Sequence, residues 1–103
     1  MLPIESAFTS QRQQPLRVLN ADLNDRLTRV ISVWNLLIKM GLNPYWQDLR
    51  LGQSERPLIL ISTPNDTLRS RCPLIRLRID IDTRERYFVG TLLDVDIRWP
   101  CVH

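Results

Sequence analysis

Residues 20–41 read NADLNDRLTRVISVWNLLIKMG, and the fold follows from how this stretch is read. Leu23, Leu27, Val30, Ile31, Trp34, Leu37 and Ile38 recur at intervals of three and four residues. At 3.6 residues per turn, that spacing gathers them on one side of a helix. Asn20 suits the cap of such a helix, and Asp22 puts negative charge near its positive end. Asp22 with Arg26, and Asp25 with Arg29, are i, i+4 pairs in the favourable order, each contributing about 0.3–0.5 kcal/mol. Lys39, Gly41 and Pro44 predict the stop, with Gly41 in the left-handed C′ position and Leu42 packing back on Leu37. Val33, Leu36 and Met40 form a second apolar row beside the first. The helix is therefore expected to be covered on more than one side, by its own chain or by a partner such as a second copy.

Before this helix, residues 1–19 carry Pro3, Pro15, three glutamines and several hydroxyl residues with little periodicity. They read as an extended N-terminal arm, which leaves residues 20–103 as a single α+β domain. After the helix, Tyr45, Leu49 and Leu51 alternate weakly, and Gly52–Arg56 is a turn. Leu58-Ile-Leu-Ile61, opened by Pro57, is a continuous β-favouring run and reads as a strand buried on both faces or one flanked by neighbours. A turn cluster follows at 62–67. Leu68–Arg71 is one helical turn or a loop, ended by Pro73.

The cleanest β pattern comes last. Ile75, Leu77, Ile79 and Ile81 alternate with Arg76, Arg78, Asp80 and Asp82. Tyr87, Val89, Thr91, Leu93, Val95, Ile97 and Trp99 alternate in the same way, as one long strand. Pairing Ile81 with Tyr87 sets Ile79 opposite Val89, Leu77 opposite Thr91 and Ile75 opposite Leu93. The expected architecture is α+β: one long amphipathic helix on a three- to four-stranded antiparallel meander (αβββ or αββββ). Trp34, Leu27, Ile31 and Leu37 would then meet Leu77, Ile79, Val89, Leu93 and Val95.

At 103 residues the chain is long enough for one core without staples. No run approaches the ~20 apolar residues of a membrane span, and the N-terminus lacks the basic start and apolar centre of a signal peptide. Two cysteines, Cys72 and Cys101, are too few for a disulfide framework, so a cytoplasmic location is expected. The formal charge is +3, and of fourteen basic residues only Lys39 is lysine. Arginine suits planar recognition of phosphate or carboxylate, although a GC-rich coding sequence yields the same bias.

Catalytic chemistry finds little to stand on. The one histidine, His103, is the last residue, and the three glycines are scattered rather than gathered in a phosphate loop. Asp80 and Asp82 fall at one end of the expected hairpin and Asp94 and Asp96 at the other, so they do not converge. Cys72, Cys101 and His103 lack the paired spacing of zinc motifs. No catalytic residue, metal or cofactor is assigned.

The binding candidates are Arg76, Arg78, Phe88, Leu92 and Arg98, read as one outer sheet face whose Phe, Leu and Arg content suits a protein interface. The first expectation is a non-catalytic interaction module (an adaptor, regulator or inhibitor) that contacts another protein and also pairs with itself as a homodimer. The alternative is a nucleic-acid-binding protein that uses Arg69, Arg71, Arg76, Arg78 and Arg98. No motif is specific enough to carry a resemblance to a family.

Overall fold

The long helix is present, and it begins much earlier than its cap signals suggest. In the computed structural model, α1 spans Pro3–Lys39. The structure describes residues 3–102, with side chains described from Asn20 onward. The extended arm expected over residues 1–19 is thus corrected to helix from Pro3. Pro3 suits a first turn, whose N–H groups have no partner in any case. Between the prolines lie Glu5, Ala7, Gln11, Arg12, Gln13 and Gln14, all good helix formers, and no glycine. Pro15 removes one hydrogen bond, but the helix continues on both sides of it. Asn20 accordingly lies inside α1 rather than at its cap. His103 lies outside the described residues.

The end of α1 is as read. Gly41 has φ +85°, its N–H donates to the Ile38 carbonyl, and the Leu42 N–H donates to the Leu37 carbonyl at 3.0 Å. This is a Schellman ending, and it buries Leu42. A Cβ at Gly41 would meet nothing within 4 Å, so the cost of filling this position is purely conformational. Gly41→Ala is expected to destabilise the domain by about 1–2 kcal/mol in urea titration, and Gly41→Asn by less.

Five strands follow rather than three or four. They are β1 (Pro44–Asp48), β2 (Leu58–Ile61), β3 (Ile75–Ile79), β4 (Arg86–Leu92) and β5 (Val95–Pro100), with a short helix α2 (Asp66–Arg71) between β2 and β3. The sheet order is β1-β2-β5-β4-β3, and it is antiparallel except for the parallel pair β2 and β5. The α+β class holds, but the chain is not a simple meander. Asn65 caps α2 through the Leu68 N–H and also donates to the Met40 carbonyl, which docks α2 beside the end of α1.

The extra strand comes from a turn the alternation concealed. Leu93 and Asp94 both have positive φ, at 48° and 66°, and form a two-residue hairpin between β4 and β5. Such turns usually carry Asn or Gly, so Leu-Asp gave no signal. Because Leu92 pairs with Val95, residues on either side of the turn exchange faces. Phe88, Gly90 and Leu92 share one face with Val95, Ile97 and Trp99, while Tyr87, Val89 and Thr91 lie on the other. The β3–β4 register, closed by the turn at Asp80–Glu85, also differs from the expected one. Ile75 pairs with Gly90, Leu77 with Phe88 and Ile79 with Arg86, an odd shift that reverses sides.

The core lies between α1, α2 and the Ile97 face of the sheet. Val30, Val33 and Leu37 pack with Ile59, Ile61, Val95, Ile97 and Trp99, closed by Leu68 and Cys72 from α2. The helix row chosen from sequence is corrected. The buried stripe of α1 is Arg26, Val30, Val33 and Leu37, whereas Leu27, Ile31 and Ile38 are exposed and Trp34 is half-buried. An arginine heads the buried row, so apolar counting selected the adjacent one. α1 packs against β1, β2 and β5 and stops short of β3, so Leu77 and Ile79 stay uncovered. Among the described residues, no helix is long and apolar enough to cross a membrane.

Candidate binding face

The helices cover one face of the sheet and leave the other open. The ladder pairs give its composition directly. Trp46 opposes Leu60, Leu60 opposes Arg98, Arg98 opposes Val89, and Val89 opposes Arg76, so these five side chains cross the open face in one row. Tyr87, paired with Arg78 and Pro100, lies in the next row toward the β3–β4 turn. Asp96 and Thr91 lie in the next row the other way. A register irregularity between Pro44 and Trp46 brings Tyr45 into a cleft with Leu60, Tyr87 and Arg98. Tyr45 and Trp46 are both exposed.

Arg98 is the centre of this surface. Its guanidinium carbon stands 4.2 Å from the centroid of the Tyr87 ring, a cation–π contact at a half-buried site worth about 1 kcal/mol. Its Nε is buried and has no hydrogen-bond partner among the described residues. Beside it is a shallow basin of about 300 Å³, reached by Arg50, Arg56, Arg76, Arg78 and Arg98 and by the acids Glu55 and Asp96.

The charges fall into two groups. At the β4–β5 end the arginines are paired. Arg50 lies 3.1 Å from Glu55 and 3.4 Å from Asp96, and Arg56 lies 2.9 Å from Asp94, which also holds Arg29 at 2.6 Å. Thr91 Oγ1 donates to Asp96 at 3.0 Å. Toward β3, Arg76, Arg78 and Arg98 have no carboxylate within ion-pair distance among the described residues. Asp80, at the β3–β4 turn, has its carboxyl held below the usual range. The Thr83 and Asp82 N–H groups it accepts from are the main cause, and Arg98 adds to it. Its Oδ1 is therefore engaged in the turn.

The sequence candidates divide accordingly. Arg76, Arg78 and Arg98 do share the open face. Phe88 and Leu92 do not: Leu92 is buried in the core, and Phe88 stacks on Trp99 with ring centroids 6.1 Å apart. The mixed Arg/Phe/Leu face is thus corrected to an Arg/Tyr/Trp face, because the Leu93–Asp94 turn inverts β4 relative to β5. Arg69 and Arg71 belong to α2, whose Leu68 enters the core on the α1 side, so they do not join this surface. Tyr45, Trp46 and Tyr87 were missed. The run Pro44-Tyr45-Trp46 was visible as an aromatic pair, but its face depended on the bulge.

The remaining chemical groups stand apart. Asp80 and Asp82 lie at one end of β4 and Asp94 and Asp96 at the other, as their spacing implied. Burial pushes the Cys72 thiol up from its ordinary value, which favours the inert protonated form. Cys72 and Cys101 are both free thiols.

No family model matches this chain, and neither the curated proteins nor the solved structures give a match.

Proposed function

We propose that the protein is a non-catalytic binding module whose open sheet face takes single-stranded nucleic acid. The observation that carries this reading is the row of carboxylate-free arginines, Arg76 and Arg98, set among exposed Tyr45 and Trp46 on one uncovered face. Arginines supply phosphate pairing, and aromatic faces supply stacking worth about 1–3 kcal/mol per base. The paired arginines Arg50 and Arg56 define the basin's far wall rather than adding free charge. The reading includes a cytoplasmic location, in keeping with two free thiols.

Fluorescence anisotropy with labelled single-stranded DNA and RNA tests it. If about three phosphates are neutralised, affinity falls roughly 15- to 20-fold between 50 and 200 mM salt. Arg76→Glu and Trp46→Ala should each weaken binding about tenfold or more, while Arg69→Glu on α2 leaves it unchanged. Binding that is absent, or that responds to Arg69 as much as to Arg76, would remove the proposal.

A second reading, contact with another protein, is favoured by a different observation. Leu77, Ile79 and Ile81 are exposed in and just beyond an edge strand, and Leu27, Ile31 and Ile38 are exposed along α1. The first of these patches is the basis of the inference that follows.

A further inference from the structure

β3 is an edge strand, and past Ile75, which packs on the core, its inward side chains are largely uncovered by the described residues. Leu77 is 51% exposed, Ile79 60% and Ile81 91%. An uncovered apolar edge with free backbone groups is a template for pairing with another strand. Residues 75–82 read Ile-Arg-Leu-Arg-Ile-Asp-Ile-Asp, with two arginines followed by two aspartates at every second position. Read in the antiparallel direction, such a segment is complementary to itself. We infer that β3 pairs with β3 of a second copy of this chain, with Ile79 opposite the partner's Ile79.

The backbone and the charges select that register together. The Asp80 N–H donates to the Glu85 carbonyl at 2.8 Å, so the even-numbered residues turn their backbone groups toward β4. By alternation, Leu77 and Ile79 present theirs to the open edge. Pairing must therefore oppose odd residues to odd. Centring on Leu77 sets Arg76 against Arg78, and centring on Arg78 sets that residue against its own copy. Centring on Asp80 opposes two aspartates. Only the Ile79-centred register places Arg78 opposite Asp80, twice over by symmetry, with no like charges opposed. Asp80 Oδ1 accepts from the Asp82 and Thr83 N–H groups, while Oδ2 has no partner among the described residues and is free to meet the incoming arginine. Ile81 and Asp82 lie in the turn just past the strand, so the ladder ends with the two Arg78–Asp80 pairs.

The two-fold axis stands perpendicular to the sheet, so the open faces of both copies point the same way. Arg78 becomes part of the seam, and Arg76 and Arg98 of each copy remain on a shared surface. The inference is independent of the nucleic-acid reading and is tested without nucleic acid.

Sedimentation velocity on the full chain should show a concentration-dependent dimer. Arg78→Asp alone and Asp80→Arg alone should each raise its dissociation constant roughly tenfold or more, because each opposes like charges at two sites. Mixing the two variants should restore a dimer, since each copy then carries the charges the other lacks. Asp80→Arg also removes the turn's acceptor, so wild-type hydrogen exchange supplies a second measurement. The Ile79 N–H should be protected at dimer concentrations and lose protection on dilution. A wild type that is monomeric at every concentration overturns the inference. So does a dimer indifferent to Arg78→Asp with an unprotected Ile79 N–H, which would assign association to another surface.

Discussion

Arg26→Ala is expected to cost about 3 kcal/mol, among the largest losses available in this domain, although the residue is a charged helix side chain. Arg26 is only 7% exposed. Its Nε donates to Asp22 at 2.8 Å, Nη1 to the carbonyls of Leu49 at 3.0 Å and Glu55 at 2.7 Å, and Nη2 to the carbonyl of Gln53 at 2.6 Å. The loop after β1 therefore wraps around one guanidinium, and Asp22 completes the arrangement by accepting from the Gly52 N–H at 3.3 Å. That hydrogen bonding holds the Asp22 carboxyl below its usual range, with Arg26 as the main cause and the Gly52 N–H second. Alanine leaves three convergent carbonyls without a donor and opens the space the stem fills. Lysine keeps the charge but has a single nitrogen, which does not span carbonyls arranged for a fork. Arg26→Lys should recover less than half of the loss. The midpoint of urea unfolding measures both, and faster hydrogen exchange at Gly52 and Gln53 locates the effect in the loop. If Arg26→Ala shifts the midpoint no more than a surface substitution does, the loop is held by other contacts. The same loop carries Arg50 and Arg56, so loosening it also removes the fixed wall of the basin.

Trp99→Ala is expected to cost about 3–5 kcal/mol, a large share of the 5–15 kcal/mol of a typical domain. Trp99 is buried on the core face of β5, stacked on Phe88 and close over Gly90. A side chain at Gly90 would touch the indole at ordinary contact distance and collide with Cys72. A Cβ at Gly90 would lie 3.4 Å from Trp99 Cη2 and 2.9 Å from Cys72 Sγ. The indole therefore fills a space bounded by strand backbone, which closes poorly once emptied. Trp34→Ala, in the helix row that periodicity selects, should cost less than half as much because Trp34 is only half-buried. Thermal and urea unfolding of the two variants decide the order. Equal losses would mean that the exposed helix row is covered in solution.

The two tryptophans show where sequence reading succeeds and where it stops. Local rules were sufficient for α1 from Asn20 to its Schellman ending, for the i, i+4 pairs Asp22–Arg26 and Asp25–Arg29, and for β2. Each rests on contacts within a few residues. Which row of α1 is buried was not legible, because the buried row contains Arg26 and its partners lie 23 to 29 residues away. The composition of the open face was not legible either. It depends on one two-residue turn, Leu93–Asp94, with no turn-forming residue to announce it. Missing that turn moved Phe88 and Leu92 onto the wrong side and hid Tyr87.

The amino-acid sequence by itself determined the α+β class, the long helix, the hairpin segments and an arginine-rich strand with alternating apolar positions. Period and local capping carry that information, and both are properties of neighbours along the chain. Tertiary structure alone decided the strand order with its parallel β2–β5 pair, the side each alternating strand presents, and the gathering of Arg76, Arg98, Tyr45 and Trp46 on one face. A strand's period of two says that its residues divide between two faces. Which face meets the helix is set by pairings with residues far along the chain, and one extra turn is enough to reverse it.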